Sequence, residues 1–163
     1  SEQQLVDCSK DNQGCGGGIM DAAFKYAKEA GISTEASYPY TASSSRCSVQ
    51  GREVGLPRGA VEGFRDVEED DERALMEAVL RQPVSVAIQA DQLSFQLYDG
   101  GVLTKACGDT VDHGVLLVGY GTENGVDYWK VKNSWGASWG EEGYIRLERN
   151  IKKKAGECGI SSQ

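Results

Sequence analysis

From Val84 onward the apolar residues of this chain change their spacing, and that change constrains the fold more than any other feature. Before it, positions 20, 23, 24, 27 and 30 recur at helical intervals within 18–30, and Gly31 follows as a stop. Leu75, Met76, Val79 and Leu80 repeat the pattern over a predicted helix at 71–81, capped by Asp70 or Asp71 and closed by Pro83. After it, Val84, Val86 and Ile88 alternate with smaller or polar residues, as in a half-buried strand. Residues 115–120 form a continuous strand-like run, while 128–132 and 144–148 alternate again between glycine-rich turns. Helix and loop first, mostly antiparallel strand afterwards, implies an α+β fold. The division is expected near Gly63, giving a partial helical domain over 1–63 and a strand-rich domain over 64–163.

Charge and composition exclude several classes of function. Seventeen basic residues against 25 acidic ones give a net charge of −8. An electrostatic hold on nucleic acid needs a basic face, and the one basic run, Lys152-Lys153-Lys154, reads as a solvated loop. No apolar run approaches the roughly 20 residues of a membrane span, and Ser1 opens a polar stretch without a signal-peptide pattern. Nucleic acid and membrane are therefore not expected partners. The five cysteines contain no C-x-x-C pair, and the chain has a single histidine, which argues against a zinc module or any other metal. No cofactor is expected either. Cys8, Cys15, Cys47, Cys107 and Cys158 read instead as a disulfide framework, and so as a secreted, lysosomal or vacuolar setting. Five is odd, so either one thiol is free or its partner lies elsewhere.

Two segments carry chemistry. His113 stands in Val111-Asp112-His113-Gly114-Val115, at the mouth of a predicted buried strand. A lone histidine is more often structural than catalytic. Asn133 ends a predicted strand and precedes Ser134-Trp135-Gly136-Ala137-Ser138-Trp139-Gly140, where the tryptophans could simply be core anchors. Taken together, V-D-H-G-V and K-N-S-W-G-x-x-W-G-E-x-G-Y resemble the histidine and asparagine boxes of papain and the cathepsins. Ser1-Glu2-Gln3-Gln4-Leu5-Val6-Asp7-Cys8, Gly14-Cys15-Gly16-Gly17-Gly18, Ser37-Tyr38-Pro39-Tyr40, Gln82-Pro83-Val84-Ser85-Val86 and Cys158-Gly159-Ile160 match that family in order. The resemblance covers essentially the whole chain and corresponds to the C-terminal three-quarters of a papain-like cysteine protease.

The resemblance implies a two-domain fold, with the second domain an antiparallel β-barrel. It implies a cysteine endopeptidase in which His113 is the acid–base and Asn133 orients it, with Trp135 covering their hydrogen bond. The family's Q-G-x-C-G-[SA]-C-[WY] nucleophile segment is absent. The usual spacing of roughly 130–150 residues from cysteine to histidine places it about 20–40 residues before Ser1. Cys15 lies too close to His113 for that role. Both ends are therefore expected to be trimmed, and this chain alone to be inactive. Family pairing implies Cys8–Cys47 and Cys107–Cys158 disulfides, with Cys15 unpaired here. Substrate contacts carry over to Gly17, Gly18, Ile19, Met20, Ala87, Asp112, Trp135, Trp139 and Gln163, with Val111 beside Asp112. Expected partners are peptide or protein substrates, a propeptide or cystatin-type inhibitors, and the complete protein is expected to be a monomer. The alternative is a non-catalytic papain-like homologue with a binding or assembly role, since the deciding residue is not present.

Overall fold

A computed structural model describes residues 1–162 and divides the chain into two units, Ser1–Arg65 and Asp66–Gln163. The first unit is built more from polar contacts than from apolar burial. Its first helix, α1 (Glu2–Cys8), starts at Ser1, whose Oγ accepts the Gln4 N–H at 3.1 Å. The face that α1 buries is glutamine: Gln3 and Gln4 are 1% and 2% exposed. Gln4 accepts the Ser33 N–H and donates to the Gly31 carbonyl, while Gln3 donates to Ser43 O and accepts the Thr41 N–H. Each buried amide is thus satisfied, which removes the cost of burying it. Asp7, on the same helix, accepts from Tyr38 Oη, Ser45 N–H, Ser45 Oγ and Gln3 Nε2. Burial pushes the Asp7 carboxyl up, but these four donors outweigh it and hold the group below the usual range. The Cys8–Cys47 disulfide closes the same loop.

Helix α2 spans Met20–Ala30, two residues shorter than the predicted 18–30 at its start. Gly31 ends it with φ +74°, its N–H returning to Ala27 O at 2.9 Å. Any Cβ at Gly31 would lie 2.7 Å from the Leu56 carbonyl oxygen, so only glycine fits. The strands β1 (Ile32–Ser33) and β2 (Val54–Leu56) form a two-stranded antiparallel sheet. Among the described residues of this unit, the buried apolar side chains are Cys8, Ala22, Ala27 and Tyr38. That is a small core.

The second unit has a large one. Helix α3 (Glu72–Val79) is capped by Asp71, whose carboxylate accepts the N–H groups of Arg73 and Ala74 at 2.9 Å. Asp70 is not the cap: it sits at φ +59° and donates its N–H to Ser161 O. Strand β3 (Val84–Ile88) leads to a short helix, α4 (Leu93–Gln96), and then to β4 (Val102–Leu103). The long strands follow: β5 (His113–Glu123), β6 (Val126–Lys132) and β7 (Tyr144–Glu148). The sheet order is β3-β5-β6-β7-β4, with every pairing antiparallel except β4 with β7. Ile88, Phe95, Leu117, Trp129, Val131, Ile145 and Leu147 are fully buried on its inner side. Period-2 burial on β6 and β7 matches the alternation that marks these strands in the sequence, whereas β5 is marked by a continuous run.

The expected barrel is corrected here: the five-stranded sheet is open, with β3 and β4 at opposite edges. Strand β4 is only two residues long and follows Gly100-Gly101, which leaves too little ladder to close the sheet. The α+β class stands. Among the described residues, no helix is long and apolar enough to cross a membrane.

Candidate active site

His113 is the first residue of β5, and Asn133 follows the last residue of β6. The antiparallel register, with Leu116 opposite Lys132, brings the start of β5 alongside the end of β6. His113 Nε2 then lies 2.8 Å from Asn133 Oδ1. That oxygen also accepts the Ser134 N–H at 2.8 Å, which identifies it as the carbonyl end of the amide. An amide oxygen can only accept, so Nε2 carries the proton and the neutral ring keeps its lone pair on Nδ1. Asn133 is 7% exposed, and its own N–H is held by Gly143 O at 2.9 Å. Among the described residues its Nδ2 has no partner, so Oδ1 alone fixes the carboxamide.

Aromatic rings surround this pair. The Trp135 ring centroid is 5.2 Å from that of His113. Trp135 packs edge-on against Phe95 at 5.5 Å and Trp139 at 5.2 Å, and Trp139 Nε1–H donates to Gln96 O. The turn that carries both tryptophans is anchored by Glu141. Its carboxylate accepts two-pronged from Arg146 Nε and Nη2 and also takes the Gly101 N–H. The Arg146 guanidinium holds Glu141 below the usual carboxylate range, and Glu141, then Glu123, holds Arg146 charged.

On the other side of the ring, Asp112 is tied to β3: its N–H donates to Ile88 O, and its Oδ1 accepts the Ala90 N–H. A cavity of about 500 Å³ opens here, lined by Ala90, Asp91, Gln96, Asp112, His113 and Trp135. Of the residues named from sequence, the fold therefore gathers His113, Asn133, Asp112 and Trp135. Ala87, opposite Gly114 on β3, and Trp139 stand close by in the chain but outside the cavity wall. Ala90, Asp91 and Gln96 were missed. Their only sequence signal is position, just beyond the end of a predicted strand.

The remaining named residues belong to Ser1–Arg65. Gly17 has φ +110° and open space where a Cβ would be, whereas a Cβ at Gly18 would lie 2.2 Å from Asn12 Oδ1. Ile19 is exposed and Met20 begins α2. Gln163 lies outside the described residues. The structure has Cys8–Cys47 and Cys107–Cys158 disulfides, and Cys15 is a free, exposed thiol. Cys107, Glu157 and Cys158 cluster closely enough to hold a metal, but both sulfurs are spent in the disulfide.

Comparison with known proteins gives this arrangement its class. The profile of the papain family cysteine proteases matches residues 1–163. Vignain of Ricinus communis is 54% identical over 166 residues, covering 100% of this chain and 46% of its own length. The oryzain beta chain of Oryza sativa subsp. japonica is 51% identical, covering 99% of this chain and 35% of its own. A cysteine protease of Carica candamarcensis, solved in complex with E-64, superposes with a TM-score of 0.92. It is 38% identical, and the match covers 99% of this chain and 73% of that one. The proform of the ragweed pollen cysteine protease Amb a 11 also gives 0.92 at 46% identity, covering 99% of this chain and 49% of that one. Fold and relatives thus define a thiol-protease class. Over its whole length the chain belongs to the papain family of cysteine proteases. It spans less than half the length of these two curated relatives.

Proposed function

We propose that this chain is part of a cysteine endopeptidase that cleaves extended polypeptides by a Cys-His-Asn mechanism. The observation that carries the reading is the 2.8 Å contact of His113 Nε2 with a buried Asn133 Oδ1, on a ring that also lines a cavity. With Nε2–H committed to the carboxamide, Nδ1 is the nitrogen left to take a thiol proton. An imidazolium formed there lowers the pKa of a neighbouring thiol and keeps it as thiolate. His113 then returns the proton to the leaving amine, while Asn133 fixes the ring's tautomer and tilt. Trp135 limits water at the His113–Asn133 bond, which strengthens it.

The nucleophile belongs to polypeptide outside these 163 residues. Cys15, a free and exposed thiol in the Gly14–Gly16 3-10 turn, is not assigned the role, because its flanking residues lack the nucleophile motif and its spacing to His113 is too short. Gly17 and Gly18 offer bare backbone to an extended peptide, with Ile19 and Met20 beside them. Ala87, Asp112, Trp135 and Trp139 are the contacts assigned to the second unit. The solved relatives bound to E-64 or held in a proform support substrate, inhibitor and propeptide binding, with peptide or protein substrates and cystatin-type inhibitors as the partners. Two disulfides support a secreted, lysosomal or vacuolar setting.

The test uses the longer product of the parent gene, assayed on a dipeptidyl fluorogenic amide with and without an epoxide thiol inhibitor. His113→Ala is expected to lower turnover on the order of 10²–10⁴-fold, the usual share of acid–base catalysis. A His113→Ala enzyme within a few-fold of wild type would remove the histidine from the mechanism. Inhibitor-sensitive turnover by the 163-residue chain alone would show that the nucleophile lies within it.

A further inference from the structure

The chain reaches His113 through residues 104–112, a stretch with no regular secondary structure. A segment of that kind does not hold a catalytic ring by itself. What holds it is a 3-10 turn, Glu157–Gly159, near the other end of the unit. Glu157 is 3% exposed, and both of its carboxylate oxygens face the loop. Oε2 accepts the Lys105 N–H at 3.1 Å, and Oε1 accepts those of Ala106 at 2.8 Å and Cys107 at 3.2 Å. Three successive N–H groups converging on one anion form a nest, which requires a left-handed residue among them. Lys105, at φ +51°, is that residue. A non-glycine residue in this region costs on the order of 1 kcal/mol, and the carboxylate offsets it.

The next two residues grip the same loop. Cys158 is bonded to Cys107, and its carbonyl accepts the Gln89 N–H from just beyond β3. Gly159, at φ +77°, packs under the loop so closely that a Cβ would lie 3.1 Å from Asp109 Cα and 3.2 Å from Val111 Cγ1. Beyond Val111 come Asp112, itself fastened to β3, and the catalytic ring.

We propose that Glu157 is a positioning residue for His113: its buried carboxylate gathers the 105–107 amides and so fixes where the loop delivers the ring to Asn133. The proposal rests on the reading of His113 and Asn133 as an acid–base pair. Glu157 touches neither substrate nor reacting atoms and acts only through the loop. A carboxylate is suited to the task because one side chain accepts three backbone donors. Gln offers a single neutral oxygen, and Leu offers none.

The test uses the 163-residue chain labelled with ¹⁵N-histidine, in which His113 gives the only ring signals. The readout is exchange of the Nε2 proton with water, beside amide exchange at 105–107. Glu157→Leu is expected to speed Nε2–H exchange at least about twofold, the low end of coupling between groups in one network. Glu157→Gln should give a smaller change in the same direction, and it preserves a folded chain should the leucine variant fail to fold. Ile145→Ala, a buried core position on β7, serves as a control for general destabilisation and should leave the ring signal unchanged. Loss of amide protection at 105–107 with an unaltered ring signal would overturn the positioning role while leaving the His113–Asn133 pair intact. A ring signal indifferent to Asn133→Ala in the unmodified chain would instead sink the pair, and the proposal with it.

Discussion

Replacing both members of the Cys8–Cys47 disulfide with serine is expected to unfold residues 1–65, while the same change at Cys107–Cys158 leaves the second unit folded but weakened. The two bridges span similar separations, 39 and 51 residues. Loop-closure entropy gives each about 4 kcal/mol at 25 °C. The difference lies in what remains. The first unit buries only Cys8, Ala22, Ala27 and Tyr38 among its apolar side chains. A domain of such size and core rarely holds more than about 3–5 kcal/mol, so subtracting about 4 leaves little or nothing. The second unit keeps Phe95, Leu117, Trp129, Ile145 and Leu147 fully buried. Domains of its length typically have about 5–15 kcal/mol and survive the loss. The assay separates the units cleanly, because Trp129, Trp135 and Trp139, the chain's three tryptophans, all belong to the second. Their fluorescence in urea follows that unit, and amide exchange over 1–65 follows the other. Retained protection over 1–65 in the Cys8/Cys47 variant would refute the reasoning, as would a Cys107/Cys158 variant with no cooperative tryptophan transition.

Other outcomes follow from individual groups. Asp7→Asn weakens hydrogen bonds to a charged acceptor and should cost on the order of 1 kcal/mol at neutral pH. Because the Asp7 carboxyl is held low when folded, its contribution is present above the usual carboxylate range and lost as pH falls through the folded value. A stability gap between wild type and Asp7→Asn that fails to narrow in acid would contradict this. Glu72 behaves oppositely. Burial raises its carboxyl despite donors from Trp129 Nε1 and Asn150 N, so its contribution is present at low pH and lost as pH rises through the folded value. Glu72→Gln should therefore compare most favourably with wild type at neutral pH, and thermal melts at pH 4 and 7 that show the reverse order would count against it. A maleimide applied without reductant should label one site, Cys15, in mass spectrometry of peptides; labelling at a second cysteine would break the disulfide assignment.

The legible parts of the fold were those written in apolar period. Strands β3, β6 and β7 coincide with the alternation read at 84–88, 128–132 and 144–148, and α2 and α3 fall within the predicted helices. Helix α1 escaped because it buries glutamines, whose partners lie up to 40 residues away, so no hydrophobic pattern marks it. Helix α4 has four residues around Phe95, too few to show a period. The parallel β4–β7 pairing and the open sheet depend on where a two-residue strand docks, which is a tertiary matter. At the site, His113 and Asn133 stood out through their motifs. Glu157 carried no signal, since nothing in a sequence shows three backbone amides converging on one carboxylate.

The protonation pattern of the only histidine bears most directly on whether the site can do acid–base work. Long-range ¹H–¹⁵N correlation of the ring, recorded where it is neutral, reports which nitrogen holds the proton. The expected result is a protonated Nε2 and a bare Nδ1, with the Nε2–H signal lost in Asn133→Ala. A ring protonated at Nδ1 would mean that the lone pair faces the carboxamide, leaving no base for a thiol.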